Sequence, residues 1–139
     1  MGQDITLNAA TPDRCEWDTL MSQHRAAKLA GAEYDRSHVN PLYAAMKAAF
    51  GDFAIPLDDP RRDEWRTAHN HDAIIAQNEH YADLESNARR TLLRMPSPDL
   101  AALRWKLDET FADDDISLWC DEIANAIRAD IARLMPKGA

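Results

Sequence analysis

The sequence predicts an all-α protein, a helical bundle of about five helices with one long central helix. Three observations carry this reading. A cap-forming residue stands directly before proline four times, as Thr11-Pro12, Asn40-Pro41, Asp59-Pro60 and Ser97-Pro98. A side-chain oxygen at such a position accepts a bond from a free first-turn amide, and proline tolerates the first helical position because its missing N–H costs nothing there. Between these points apolar residues recur at helical spacing. Strand patterns are absent: the one alternating run, Phe53, Ile55 and Leu57, holds Pro56 and reads as a loop pinning apolar side chains to the core.

Residues 1–10 show no cap and no period and read as a flexible N-terminal arm, with residues 11–139 as a single helical domain. The first helix is expected from Pro12 to Asp35, with Trp17, Leu20, Met21, His24, Ala27 and Tyr34 in period. A second runs from Pro41 to Phe50 and stops at Gly51. The third segment, from Pro60 to Met95, contains no glycine and no internal proline, and carries Ile74, Tyr81, Leu84, Ala88, Leu92 and Met95 in one stripe. As one helix it is about 50 Å long. The polar run His69-Asn70-His71-Asp72 is the place where it would break. Met95-Pro96-Ser97-Pro98 makes a tight corner, since each proline pushes its predecessor out of helical geometry. Ser97 is expected to cap the fourth helix, Pro98 to Phe111, whose seam is Leu100, Leu103, Leu107 and Phe111. The last helix is expected from Ile116 to Leu134, along Trp119, Ile123, Ile127 and Ile131. TPDRCEWDT (11–19) and DPRRDEWRT (59–67) echo one another, which shared helix-start chemistry explains more simply than duplication.

Two stretches, EWDTLMSQHRAAKLA (16–30) and RRTLLRMPSPDLAALRWKLDETF (89–111), resemble a group of small alphaproteobacterial proteins with no assigned activity, associated with prophage-like regions. The resemblance covers about half of the chain and is most specific at TLLRMPSPDLAALRWKLD. It implies a helical fold and a bacterial cytoplasmic setting, and it carries no catalytic residues.

Sixteen basic side chains stand against 24 acidic ones, a net charge of −8. That balance disfavours direct binding to nucleic acid or an anionic membrane, and no run is long and apolar enough to span a bilayer. Cys15 and Cys120 have no metal or redox spacing and read as reduced, small buried hydrophobes. The four glycines are scattered, so no phosphate loop and no nucleophile elbow exists, and no cofactor is expected.

The remaining constellations divide between bland and functional readings. His69 and Asp72, and His80 and Asp83, repeat a three-residue spacing on what would be one helix face. A metal-binding helical-bundle enzyme would use such a face, but the pairs lie roughly 16 Å apart and no Glu-x-x-His accompanies them. A solvated His–Asp face is the simpler account. Asp113, Asp114 and Asp115 lie in an acidic block from Asp108 to Glu122 that holds no lysine or arginine, which fits a solvated helix corner. It also fits a phage-derived inhibitor that presents an acidic surface to the basic groove of a nucleic-acid enzyme. A calcium loop fails there, because its sixth position is Leu118 and its twelfth Ala124. Arg90 and Arg94, with Arg104 and Lys106 beyond the corner, read as ordinary surface charge; if the helices fold back there, Arg90, Arg94 and Arg104 would form one basic patch. Trp105 lies about 160° from Leu103 and would touch a second neighbour, as interface tryptophans do. The expectation is therefore a cytoplasmic, non-catalytic interaction or regulatory module with an unknown protein partner. Homodimerisation would cover the overhang of a 50 Å helix on a chain whose compact diameter is roughly 37 Å.

Overall fold

The computed structural model describes residues 14–112 and 120–135. Among the described residues every regular element is a helix. In chain order these are α1 (Arg14–Tyr34), a π-helical turn (Asp35–Val39), α2 (Asn40–Phe50), α3 (Arg62–Ala68), α4 (His71–Arg94), α5 (Leu100–Ala112) and α6 (Asp121–Leu134). Thr11-Pro12, Ile116 and Trp119 lie outside the described residues.

The long helix is present but elsewhere than expected. From Arg14 to Phe50 the chain stays helical without a break, whereas the sequence suggested a stop and restart at Asn40-Pro41. The π turn is the reason. The Asn40 amide bonds the Asp35 carbonyl five residues back, a wider loop than the α-helical one. A proline inside an α-helix removes one hydrogen bond and its ring presses on the carbonyl four residues earlier. A local π turn re-spaces the chain just before Pro41 and lets the helix pass through. Gly51, in the left-handed region at φ 77°, then ends α2, its amide bonding the Lys47 carbonyl at 2.8 Å.

The segment from Pro60 to Met95 does break, at His69-Asn70. Asn70 has φ 52°, which no interior α-helical residue adopts, and asparagine is among the few side chains that tolerate it. The 50 Å helix and its overhang are therefore gone. The Asp59 carboxylate accepts the Arg61 amide at 2.9 Å in the turn that leads into α3, which itself begins at Arg62 without a side-chain cap bond. Ser97 is not a cap. That role falls to Asp99, whose carboxylate accepts the Ala102 amide at 2.8 Å.

Two compact units are formed, one from residues up to Gln23 and from Asn87 on, the other from His24 to Ser86. The first holds both apolar clusters. Trp17, Met21, Leu92 and Ala102 make one; Leu93, Leu103, Ile123 and Ile127 make the other. Helical period places these residues on facing stripes of α1, α4, α5 and α6. The α5 seam is rotated by roughly a quarter turn from the expected one. Ala102, Leu103, Lys106 and Thr110 are buried, while Leu100 is 53% and Phe111 66% exposed.

In the second unit Gly31 brings α1 close to α4: a Cβ there would sit 3.5 Å from that of Tyr81. Tyr34 packs on Tyr81 at 5.5 Å, and His24 meets the Glu85 carboxylate at 2.9 Å. Trp65 of α3 lies edge-on to Phe50 at 5.5 Å and stacks on His69 at 4.1 Å. The connector 51–59 does not pin its apolar side chains as expected, since Phe53 and Leu57 are exposed and only Ile55 is half-buried. Cys15 is exposed rather than buried, and Cys120 is half-buried; the two are not joined in a disulfide.

Candidate functional site

The densest chemistry lies in the first unit, at the corner between α4 and α5. Pro96 and Pro98 supply no amides, and the turn exposes polar backbone groups that need partners once buried. Side chains of α5 and α6 partner three of them, the Met95 and Ser97 carbonyls and the Ser97 amide. The Lys106 ammonium donates to the Met95 carbonyl and, at 2.6 Å, to Asp130. Ser97 donates its amide to Asp130 Oδ1 at 3.0 Å and its hydroxyl to Oδ2 at 2.6 Å. Arg133 completes the ring, donating to the Ser97 carbonyl at 2.9 Å and to Asp130 Oδ1 at 2.7 Å. Lys106 and Ser97 are 0% and Asp130 1% exposed.

Burial lowers the Lys106 pKa; the hydrogen bond and charge of Asp130 oppose that pull, and Arg133 adds to it. Burial raises the Asp130 carboxyl, but hydrogen bonds from Lys106 and Ser97 outweigh it and hold the group below the ordinary carboxylate range. The carboxylate is thus held ionised by the bonds it accepts from Lys106, Ser97 and Arg133. A serine, a lysine and an aspartate so close together resemble the parts of a nucleophilic site. Here Ser97 and Lys106 both point at the same carboxylate, and neither reaches solvent. Each group is consumed in holding the corner onto α6. Arg14 and the Ala102 amide do the same on the outer side of the corner, where both hold Asp99 below its usual range, Ala102 more strongly.

Asp130 was not legible as a site residue, although a signal exists. It falls three residues after Ile127 and four before Leu134, inside the apolar stripe of α6, as Lys106 falls inside that of α5. Opposite charges on two apolar faces mark a buried pair.

The expected site residues fare differently. Trp105 is half-buried between the two apolar clusters and packs against both, its indole edge-on to Trp17 at 5.9 Å. It does touch two neighbours, but both are core clusters of its own chain. Arg94 pairs with Glu122 of α6 at 2.8 Å, while Arg90 and Arg104 are exposed. No contact joins the three into one patch among the described residues, and Lys106, expected beside Arg104 at the surface, is buried. Asp113, Asp114 and Asp115 lie outside the described residues. The His–Asp face is dismantled by the break: His69 turns back to the Trp65 carbonyl at 2.9 Å, whereas Asp72 is bound by His71 and Arg66. His80 and Asp83 are exposed on α4. Among the described residues no group of three His, Cys, Asp or Glu is placed to hold a metal ion, and no helix is long and apolar enough to cross a membrane.

No family model matches the chain, and no curated protein or solved structure matches it.

Proposed function

We propose that the protein is a non-catalytic helical interaction module that works as a homodimer, joined through residues 24–86. The observation that carries this reading is the thin core of that unit. Its buried residues are His24, Val39, Leu42 and Met46, so three are apolar, against ten in the first unit. Meanwhile Leu29 is 72% and Leu57 85% exposed, and Phe53 and Leu84 are exposed as well. A helical unit is stabilised mainly by burying an apolar face, so a unit that buries so little of its own gains most from association. A second copy is the commonest cover for such a surface. The sealed Lys106–Asp130 network supports the non-catalytic half of the reading, because it offers no accessible reactive group. The setting we propose is a bacterial cytoplasm, in line with the resemblance of residues 16–30 and 89–111.

Light scattering on the purified chain at micromolar concentration tests the dimer. The expected mass is twice 15.7 kDa. Leu29→Glu combined with Leu84→Glu should return it to 15.7 kDa without loss of helical signal. A wild-type monomer at all concentrations would refute it.

A further inference from the structure

A cleft of about 290 Å³ opens between α2, the connector, α3 and the start of α4, lined by Tyr43, Met46, Phe53, Ile55 and Ile75 and by the polar residues Arg62, Arg66 and His71. Its walls are aromatic and aliphatic, with Tyr43 and Phe53 edge-to-face at 6.5 Å. Its polar groups are basic and unequal in their engagement. Arg66 donates to Asp72 through Nε at 3.1 Å, and His71 meets the same carboxylate through Nδ1 at 2.9 Å. His71 first, and Arg66 after it, hold Asp72 below the ordinary carboxylate range, so it stays anionic and offsets Arg66. Neighbouring Arg61 is taken by Asp59. Arg62 alone of these pairs with no carboxylate among the described residues, and its Nε is buried without a hydrogen-bond partner. An arginine without a carboxylate partner among the described residues therefore lines a cleft of mixed polar and apolar surface, and the Lys47 ammonium, 4.9 Å from the Phe53 ring centroid, adds positive charge beside it.

We propose that this cleft binds a small organic carboxylate, its single aromatic ring or short alkyl chain against Tyr43, Met46 and Phe53 and its carboxylate on the Arg62 guanidinium. An arginine without a carboxylate partner takes one in a paired, planar geometry. Arg62 is the one lining arginine without a carboxylate partner among the described residues, and a single guanidinium suits a monoanion better than a dianionic phosphate, which needs more donors. The volume lies at the small end of ligand sites, so the body of the ligand is one ring or a short chain.

The test is a titration of the full-length, ¹⁵N-labelled chain with 3-phenylpropionate, following the Arg62 Nε–H resonance and the backbone amides of Tyr43 and Phe53. We expect a saturable shift at all three. The neutral analogue 3-phenylpropan-1-ol should bind about tenfold more weakly or worse, the loss of one charge-assisted contact. Arg62→Gln should weaken the acid by a similar factor. Phe53→Ala, at an exposed position where folding is not at risk, should weaken acid and alcohol alike. No saturable shift in the wild type, equal binding of acid and alcohol, or unchanged binding of the acid in Phe53→Ala would overturn the proposal.

Discussion

Asp130 shows how one side chain can organise a corner. Its two oxygens take bonds from Lys106, Ser97 and Arg133, and through them fix the backbone from Met95 to Ser97. Removing one member of a buried ion pair leaves the other charge without compensation, so Lys106→Met should cost roughly 3–5 kcal/mol. Ser97→Ala removes a charge-assisted buried bond and should cost about 1.5–3 kcal/mol, more than the loss of a cap. Asp99→Ala, the true cap, should cost about 1 kcal/mol. Urea unfolding of the three variants checks that ranking, and a Ser97 effect no larger than that of Asp99 would contradict the network. The pH response has a definite sign. Asp130 protonates at lower pH in the folded chain than in the unfolded one. Its stabilisation is therefore complete above the unfolded carboxylate value, about 4, and disappears as the pH falls through the lowered folded value. The urea midpoint should be level from about pH 7 to about pH 5 and fall below about pH 4, less steeply in Asp130→Asn than in the wild type.

At the scale of elements, two glycines and one asparagine separate helix interiors from helix ends. Gly51 ends α2 with φ 77° and has open space around it, so the cost of a side chain there is purely conformational. Gly51→Ala should destabilise by about 1–2 kcal/mol. Gly31 lies inside α1, where a Cβ would make an ordinary 3.5 Å contact with Tyr81. Gly31→Ala should instead stabilise by about 0.5–1 kcal/mol, since it lowers the entropy of the unfolded chain and adds packing. Thermal unfolding measures both, and the opposite signs are the point of the comparison. Asn70, at φ 52°, resembles Gly51 in conformation, which is why α3 and α4 are two helices rather than one.

At the scale of the whole molecule, the apolar core is unevenly distributed between the two units. Leu92 and Leu93 are fully buried, while α3 buries none of its residues. Amide exchange tracks local burial and packing. Amides of α5 and α6 should exchange slowly, and those of 62–68 fast, in dilute protein. If the dimer forms through residues 24–86, protection there should rise with concentration while that of α5 and α6 stays constant. Uniform protection along the chain at low concentration would contradict the uneven core.

What the sequence determined by itself is local. Helical class, the corner at Met95–Pro98, the turn at Asp59 that leads into α3 and the stop at Gly51 follow from proline, glycine and a 3.6-residue period, all of which act within a few residues. The weak point at His69–Asp72 was legible too, because a polar run interrupts the apolar stripe there. What only the tertiary structure decided depends on partners distant in sequence or on small differences in backbone spacing. Pro41 looks the same in sequence whether a helix begins there or a π turn carries one through it. Ser97 looks like a cap until Asp130, 33 residues away, claims its hydroxyl. Lys106 reads as surface charge until the stripe of α6 brings an aspartate to it, and burial of that pair turns the face of α5 away from its leucine seam. The Arg62 cleft has no sequence signal at all, because its walls come from four separate segments and its character rests on which arginine is left without a carboxylate.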